Sequence, residues 1–596
     1  MVSGSAAGTR SRPARRIAAC TALALSAGML LAVPAQADDA PSPRGAIGQT
    51  APGAEEQPTL RLPKAGAKSS GERRAAARAE AADAPVAKPR SDVDGDGFSD
   101  LFYRAQNGKI FVAPSAGTAS HEYDFDAGVH QSPDESYKDV FSIGGFEAAP
   151  VHFTLGASGR LTAYGSSTAQ GASVLWSGTG WQQYNKVFAP GDLTGDGVGD
   201  VLARTHAGDL YLYRATPGAA TPLAPKLRIG GGWQQYDQLV GVNDVNSDGI
   251  ADLYARNPSG TLYFYSGTGE ATRPFKDRVA IGTGWQQYNQ LFSVDDQNGD
   301  GLSELVARSF SGVLYDYASL GTGRFHPREQ GGAGWNAVAQ FAGAGNNPSW
   351  GKQELVGLDT KGTLYSYYAL NNGLLSARER ISDVGGWKGA KGVALLSSLD
   401  DNGFSDLFEI YDNTLYNYSH PSGNIQTIGR GWGVYNTLVG PGDLSGDGRG
   451  DLLARDGSGV LYLYRGAGTG TSFAAKQRIG GGWQQFNKLL GAGDVTGDGR
   501  ADLLARGKDG KLWLYAGTGV AATPFKAKSL IGSGWNVYGK LAAAGDLNGD
   551  GKADLLGANA AGELFRYDAT GVGTGPGAFK AKSKVGNGWN TYGTLH

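Results

Sequence analysis

The chain has 596 residues, of which 96 are glycine, 12 tryptophan and 27 tyrosine, and its formal net charge is −2. This length fits several domains or one large repeat array, and the composition favours short aromatic strands joined by turns over long helices. The low net charge offers no basic field for a phosphate backbone, which argues against a nucleic-acid partner.

The first 37 residues, 1–37, have the pattern of a secretory signal peptide. Four arginines precede an apolar stretch that starts at Ile17, and residues 35–37 (AQA) supply a small-x-small cleavage site. The only cysteine, Cys20, lies inside this segment, so the mature protein has no disulfide. No second apolar run is long enough to span a membrane. We therefore expect a secreted, extracellular protein without a membrane span.

Two regions follow the signal peptide. Residues 38–90 are rich in Ala, Pro, Glu, Lys and Arg, which predicts a disordered linker. Residues 91–596 are repetitive, and the dipeptide Gly-Trp marks the repeats at intervals of about 50 residues. The repeated tryptophans are Trp181, Trp233, Trp285, Trp335, Trp387, Trp432, Trp483, Trp535 and Trp589.

Each repeat has the same internal order. A Gly-Trp segment leads into an acidic, glycine-rich loop, then into a strand such as DLLAR (502–506), a glycine turn and an aromatic strand such as KLWLY (511–515). About four short strands per repeat are typical of a β-propeller blade. The predicted fold is all-β, with about ten four-stranded repeats of ~50 residues forming one large ring or two five-bladed rings.

The ends of the repeat region suggest how a ring closes. The first repeat lacks a Gly-Trp strand, whereas residues 588–596 (GWNTYGTLH) form one with no loop after it. We expect this last segment to complete the first repeat, because pairing them would hide two edge strands. If there are two rings, the divergent segment at 386–397 is the expected seam.

The acidic loops have the spacing D-x-[D/T/N/S]-x-D-G-x-x-D in seven intact copies. Oxygen ligands at positions 1, 3, 5 and 9, a backbone carbonyl at position 7 and glycine at position 6 suit several structural Ca²⁺ ions. The alternative is a set of Asx-rich turns, which would need only one aspartate each. The candidate metal ligands are Asp92, Asp94, Asp96, Asp100, Asp192, Thr194, Asp196, Asp200, Asp244, Asn246, Asp248, Asp252, Asp296, Asn298, Asp300, Glu304, Asp443, Ser445, Asp447, Asp451, Asp494, Thr496, Asp498, Asp502, Asp546, Asn548, Asp550 and Asp554.

Three further repeats have degenerate loops. The repeats near 144 and 346 have lost the acidic loop, so we expect no metal there. The loop near 398 keeps Asp400, Asn402 and Asp406, which predicts a weak site.

The segments GDLTGDGVGDVLAR (191–204) and GDLNGDGKADLLG (545–557) resemble FG-GAP/VCBS repeats of the integrin-alpha N-terminal type, in the form found in secreted actinobacterial proteins. The resemblance implies calcium-stabilised propeller blades. Integrin-type rings have seven blades, so the number of repeats here departs from that pattern. The Gly-Trp segments also resemble, more faintly, the repeats of tachylectin-like five-bladed lectins.

The residues point to a binding module and not to an enzyme. The mature chain has no cysteine, and its histidines neither recur at one repeat position nor lie in a nucleophile or zinc motif. We expect a glycan or cell-wall polymer as ligand. The alternatives are a protein–protein adhesion scaffold and, with less support, a secreted carbohydrate-active enzyme.

Repeated aromatic residues are the candidate ligand-binding positions, because aromatic rings stack on sugars; alternatively they pack between blades. These residues are Trp181, Tyr184, Trp233, Tyr236, Trp285, Tyr288, Trp483, Trp535 and Tyr538.

Overall fold

A computed structural model describes residues 88–596, apart from 106–108, 116, 124, 126–136, 147–148, 169–170, 345–351, 353, 419–424 and 574. The predicted signal peptide (1–37) and nearly all of the predicted linker lie outside the described residues. The described chain is all-β, with forty strands in ten four-stranded antiparallel sheets. The prediction of about ten four-stranded units is therefore confirmed.

The first twenty strands are β1 (Leu101–Ala105), β2 (Ile110–Ala113), β3 (His121–Glu122), β4 (Tyr137–Ile143), β5 (Val151–Gly156), β6 (Leu161–Thr168), β7 (Gly171–Gly178), β8 (Tyr184–Gly191), β9 (Asp200–Thr205), β10 (Leu210–Tyr213), β11 (Leu227–Gly230), β12 (Gln238–Gly241), β13 (Leu253–Arg256), β14 (Leu262–Tyr265), β15 (Val279–Gly282), β16 (Tyr288–Phe292), β17 (Leu305–Ser309), β18 (Leu314–Tyr317), β19 (Glu329–Gln330) and β20 (Val338–Phe341). Sheet 1 has the order β20-β1-β2-β3, and sheets 2 to 5 are formed by β4–β7, β8–β11, β12–β15 and β16–β19.

The other twenty strands are β21 (Glu354–Asp359), β22 (Leu364–Tyr368), β23 (Glu379–Arg380), β24 (Lys391–Leu396), β25 (Asp406–Tyr411), β26 (Thr414–Tyr418), β27 (Ile425–Arg430), β28 (Tyr435–Gly442), β29 (Asp451–Asp456), β30 (Leu461–Arg465), β31 (Gln477–Gly480), β32 (Phe486–Gly493), β33 (Asp502–Gly507), β34 (Leu512–Tyr515), β35 (Ser529–Gly532), β36 (Tyr538–Ala542), β37 (Leu555–Asn559), β38 (Leu564–Tyr567), β39 (Ser583–Gly586) and β40 (Tyr592–Leu595). Sheet 6 has the order β23-β22-β21-β40, and sheets 7 to 10 are formed by β24–β27, β28–β31, β32–β35 and β36–β39.

Short 3₁₀ turns precede most of the strands that begin a sheet. They lie at Trp181–Gln183, Trp233–Gln235, Trp285–Gln287, Trp335–Ala337, Trp432–Val434, Trp483–Gln485, Trp535–Val537 and Trp589–Thr591, and a further one lies at Gly575–Ala578. The glycine before each of these tryptophans has a positive φ, for example 89° at Gly232. Glycine reaches that conformation without a steric penalty, which explains why Gly-Trp recurs as a unit.

Sheets 1 and 6 each take one strand from a distant part of the chain. In sheet 1, Phe341 of β20 pairs with Tyr103, and in sheet 6, Leu595 of β40 pairs with Gly357. The expectation that residues 588–596 complete the first repeat is therefore wrong. Both β20 and β40 follow a Gly-Trp turn, so the sequence pattern alone offered two equivalent partners for β1.

Ten buried hydrophobic clusters each join two neighbouring sheets. Five of them connect sheets 1 to 5 in order and then return from sheet 5 to sheet 1, where the rings of Phe292 and Phe341 stack with centroids 4.0 Å apart. The other five connect sheets 6 to 10 and return from sheet 10 to sheet 6, where Leu556 packs with Leu595. We call these groups the first cycle (sheets 1–5) and the second cycle (sheets 6–10).

Each cycle has inner strands, which are β20, β4, β8, β12 and β16 in the first cycle and β40, β24, β28, β32 and β36 in the second. An inner strand typically runs from a tryptophan turn at one end of its cycle, the Gly-Trp end, to an acidic loop at the other, the loop end, as β8 does.

The Gly-Trp end of the first cycle contacts the loop end of the second. The side-chain amide of Asn185 donates a hydrogen bond to the carbonyl of Asp498 (3.0 Å), and that of Asn289 donates to the carbonyl of Asn548 (2.9 Å). Lys138 Nζ also donates to a loop carbonyl of the second cycle (3.3 Å). The second-cycle acidic loops therefore lie between the two cycles.

A cation lies among the inner strands near the loop end of each cycle. Arg90 Nη1 donates to two carbonyls of β8 and β12, at 2.6 and 3.0 Å, and Lys352 Nζ donates to two carbonyls of β28 and β32, at 3.1 and 2.6 Å. These carbonyls belong to Ala189, Gly241, Gly440 and Gly491, each eight residues after a repeated tryptophan. Arg90 also forms an ion pair with Asp295 (2.6 Å), so the end of the predicted linker is part of the fold.

Candidate metal centres

The first aspartate of every intact loop is held by the backbone of its own loop. In the loop at 192–200, Asp192 Oδ1 accepts from the N–H of Gly195 and Asp192 Oδ2 accepts from that of Gly197, both at 2.6 Å. The bond from position 6 to the first carboxylate recurs in all seven intact loops, with N···O distances of 2.6–3.0 Å. The repeated aspartate and glycine therefore build one fixed loop, with the first carboxylate oriented in advance.

The last acidic residue of each intact loop anchors the loop to its sheet. In the loop at 244–252, Asp252 Oδ2 accepts from the N–H of Val245 (3.1 Å), and Asp252 Oδ1 accepts from the N–H of Gly267 after the next strand pair (2.8 Å). The bond from position 2 recurs in all seven loops. Sequence spacing identified position 9 as a candidate ligand but gave no sign of this second, structural role.

Carboxylates are crowded and buried in these loops. In the first and fourth intact loops, three acidic residues each offer an oxygen, and these oxygens lie within 4.8 Å of one another. The two groups are Asp92, Asp94 and Asp100, and Asp296, Asp300 and Glu304. Burial, together with the charges of Asp94 and Asp96, raises the pKa of Asp100 to about 7. The oxygen-only donor set and its mutual repulsion fit a hard divalent cation.

The degenerate loop near 398 keeps the same backbone shape with fewer charges. Ser398 stands at position 1, where its Oγ accepts from the N–H of Gly403 (3.1 Å), and Asp406 Oδ2 accepts from the N–H of Leu399 (2.7 Å). Parts of the loops near 144 and 346 lie outside the described residues. The predictions of no metal there and of a weak site near 398 stay predictions.

The intact loops differ in exposure between the two cycles. At position 5, Asp96, Asp196 and Asp248 of the first cycle are exposed, whereas in the second cycle Asp447 and Asp498 are half-buried and Asp550 is buried. The cause is the contact between the cycles, since the second-cycle loops face the Gly-Trp end of the first.

The structure places the predicted ligand-binding aromatics in the interior. Trp233 is 8% exposed. Its backbone N–H donates to the carbonyl of Gly208 (3.0 Å), and its ring centroid lies 5.0 Å from that of Tyr265. Tyr236 is 1% exposed and its hydroxyl lies 2.6 Å from that of Tyr265. The same burial holds for Trp181, Tyr184, Trp285, Tyr288, Trp483, Trp535 and Tyr538. Buried ring faces favour packing between sheets over stacking on a sugar.

The sequence analysis overlooked an arginine that links neighbouring sheets. Arg204 Nε donates to Asn185 Oδ1 (2.9 Å), while Arg204 Nη1 donates to the carbonyls of Trp233 (3.2 Å) and Tyr236 (2.7 Å) in the next sheet. Equivalent bonds to the next tryptophan turn are made by Arg256, Arg308, Arg455 and Arg506. The recurring Ala-Arg at the end of the second strand was the available signal.

These features define the class of protein to which the chain belongs: all-β repeat proteins whose four-stranded sheets carry acidic loops. A protein-family model described as an FG-GAP-like repeat matches residues 443–505 and 494–557, so the chain contains FG-GAP-like repeats. A search of curated proteins gave no match. Among the described residues, no helix has the length and apolar character needed to cross a membrane.

Proposed function

We propose that the chain forms two five-bladed β-propellers, stabilised by Ca²⁺, and acts outside the cell as a binding module for a glycan or cell-wall polymer. The two closed cycles of five sheets support the propeller arrangement and disfavour one ring of ten. They also support a boundary at 342–353, between β20 and β21, because residues 386–397 include β24, a strand of the second cycle.

Calcium is proposed for the seven intact loops. Positions 1, 3, 5 and 9 would hold it through side-chain oxygens, together with the carbonyl at position 7. The ion would supply positive charge to carboxylates that burial and mutual repulsion otherwise penalise. Because the last carboxylate also anchors the loop to the sheet, as Asp252 does, metal binding and sheet stability are coupled.

One exposed end of the molecule supports a binding role. Asn185 and Asn289, at the Gly-Trp end of the first cycle, are buried against the second cycle. The equivalent Asn436 and Asn487 of the second cycle are exposed, which leaves that end free for a ligand. The extracellular location rests on the signal-peptide pattern of residues 1–37. A protein–protein adhesion scaffold would use the same exposed end and is the second candidate.

Retention on insoluble polymers tests the proposal. The protein, residues 38–596, is incubated with chitin, cellulose and peptidoglycan in Ca²⁺ and again with a chelator. We expect retention on at least one polymer in Ca²⁺ and its loss with the chelator. Folded protein that stays in solution with every polymer would favour a protein ligand, and retention that is insensitive to chelation would contradict the role of calcium.

A further inference from the structure

The inner strands carry one equivalent residue per sheet near the Gly-Trp end. In sheet 9 this residue is Lys488, which pairs with Arg506 of the second strand, and in sheet 3 it is Lys186, which pairs with Arg204. We call the ten equivalent positions the channel layer. It consists of Asp139, Lys186, Gln238, Gln290 and Gln340 in the first cycle and of Lys391, Thr437, Lys488, Lys540 and Thr594 in the second.

The channel layer of the first cycle is electrically balanced and bonded internally. It contains one acid and one base, and Lys186 Nζ donates to the carbonyl of Ala344 in the segment that leaves the cycle. Gln238 bridges to the neighbouring inner strand, donating to the carbonyl of Asn289 (2.6 Å) and accepting from the N–H of Leu291 (2.7 Å). Lys186 and Gln238 of this layer are therefore bonded to the chain itself.

The channel layer of the second cycle has three lysines, two threonines and no acidic residue. Lys391 is exposed, and Lys488 and Lys540 are half-buried. Arg506 adds a positive charge beside Lys488, and Arg455 Nη2 donates to the hydroxyl of Thr437 (2.7 Å). Burial and the positive charge of Arg506 lower the pKa of Lys488 to about 8, so an anion beside this pair would favour the charged form of the lysine.

The channel layer lies nearer the Gly-Trp end of the inner strands, and a further cation lies nearer the loop end. Lys352 occupies the inner strands near the loop end of the second cycle. Burial and then the charge of Lys488 lower the pKa of His596, which follows a strand of sheet 6, to about 3. Lys488 belongs to sheet 9, whereas His596 follows a strand of sheet 6, and these two sheets are not neighbours. The effect of Lys488 on His596 therefore indicates that the ammonium group lies toward the centre of the cycle.

The cationic groups at the Gly-Trp end of the first cycle have acidic neighbours. Burial lowers the pKa of Arg204 to about 10, but Asp237 of its own cycle and, to a smaller extent, Asp494 of the second cycle favour its charged form. Asp546 acts in the same way on Arg308. Within the described part of the chain, the intact acidic loops lie at the loop ends, and none covers the Gly-Trp end of the second cycle. Two acidic residues of the exposed turns at that end, Asp509 and Glu563, pair with Lys511 and Lys584. An added acidic ligand would therefore meet a layer that has no carboxylate of its own.

We propose that the Gly-Trp end of the second cycle is an anion-binding site for an acidic glycan. Lys391, Lys488 and Lys540 would contact carboxylate, phosphate or sulfate groups of the polymer. This inference rests on the proposed function and narrows its ligand class.

A second copy of the chain is the competing partner, because its first-cycle loops are also acidic. However, residues 88–90 cross the loop end of that cycle, where the carbonyl of Lys88 accepts from Asn243 Nδ2 (3.0 Å) and Arg90 fills the centre. A second copy would meet this segment before the loops, which favours a polymer.

Dextran sulfate and dextran provide matched probes, since they share a backbone and differ in charged groups. We expect the calcium-loaded protein to bind dextran sulfate and not dextran in fluorescence anisotropy. The double variant Lys488→Gln/Lys540→Gln should weaken binding at least about tenfold. The control variant Lys508→Gln/Lys511→Gln removes the same charge from an exposed turn at the same end of the cycle and should change binding less than about twofold. Lys488→Arg/Lys540→Arg should retain binding.

A measurement on the unaltered protein covers the case in which the glutamine variant does not fold. Dextran sulfate should protect Lys488 and Lys540, but not Lys508 or Lys511, from acetylation detected by mass spectrometry. Equal weakening by the two double variants, or equal protection of all four lysines, would overturn the site. Salt-sensitive self-association that Lys488→Gln/Lys540→Gln abolishes would overturn the polymer in favour of a second copy. Retention on a neutral polymer without dextran sulfate binding would reject the anion site but keep the proposed function.

Discussion

Single carboxylates in the loops support the proposed dependence on calcium. Burial, reinforced by neighbouring carboxylates, raises the pKa of Asp100, Asp200, Asp502 and Asp546 to about 7. A carboxyl with a higher pKa in the folded than in the unfolded protein binds its proton more tightly when folded. Its contribution to stability is therefore present at low pH and is lost as the pH rises through about 7.

This reasoning predicts a different pH dependence for the metal-free and calcium-loaded proteins. Between pH 5 and 8, the melting temperature of the chelated protein should fall, whereas that of the calcium-loaded protein should change little because the ion replaces the protons. Differential scanning calorimetry with and without chelator measures both. Parallel curves that differ only by a constant offset would contradict the argument.

The buried tryptophans give a second prediction. Trp233→Ala removes a ring that packs against Tyr265 and should cost about 3–5 kcal/mol of stability. The control is Gln235→Ala on the same turn, whose exposed side chain donates to the carbonyl of Gly232 (2.9 Å) and accepts from Arg278 Nη1 (3.0 Å). Denaturant titration compares the two variants. Unchanged stability of Trp233→Ala together with lost polymer retention would support sugar stacking instead.

Sequence spacing was sufficient to predict the acidic loops, because metal ligation demands particular residues at fixed positions. It was insufficient for the aromatic positions. A sugar platform and a packing interface both require a large ring at the same place in every repeat, and only burial separates them. The anchoring role of Asp252 was also hidden, since its partner Gly267 lies on a different strand connection.

Among the strands, β20 and β40 have the greatest consequence for stability, because each closes one cycle. Phe341 of β20 and Leu595 of β40 are buried at 0% and 1% exposure. Phe341→Asp should destabilise the first cycle and Leu595→Asp the second, because each buries an unpaired carboxylate. Hydrogen exchange read by mass spectrometry locates the loss of protection. Equal loss in both cycles after either substitution would show that the cycles do not unfold separately.

The period of about 50 residues was enough to predict the strands and their grouping into four-stranded units. It could not predict which Gly-Trp strand completes sheet 1, because residues 335–341 and 588–596 carry the same local pattern. The choice depends on three-dimensional pairing of Phe341 with Tyr103. The degenerate loop near 346 lies at the boundary between the two cycles and lacks the acidic pattern. The repeat is therefore hard to recognise there, and the sequence contains no local sign of a division between two cycles.

The contact between the cycles predicts two classes of calcium ion in the complete protein. Four intact loops belong to the first cycle, where carboxylates such as Asp196 are exposed, and three belong to the second, where Asp494 and Asp550 are buried. Stopped-flow mixing with a fluorescent chelator should release the ions in a fast and a slow phase with amplitudes of about 4:3. Asn289→Ala, which removes a bond to the carbonyl of Asn548, should speed the slow phase only. A single phase would contradict this arrangement.

The placement of the closing strands also bears on how the chain is made. Every strand of the first cycle precedes residue 342, so a growing polypeptide can complete that cycle as soon as β20 emerges, before any second-cycle strand has been synthesised. The second cycle must wait for β40, and until then the edge of β21 has no partner and is open to pairing with other chains. During synthesis, the finished first cycle would offer the nascent second-cycle sheets a surface on which to assemble.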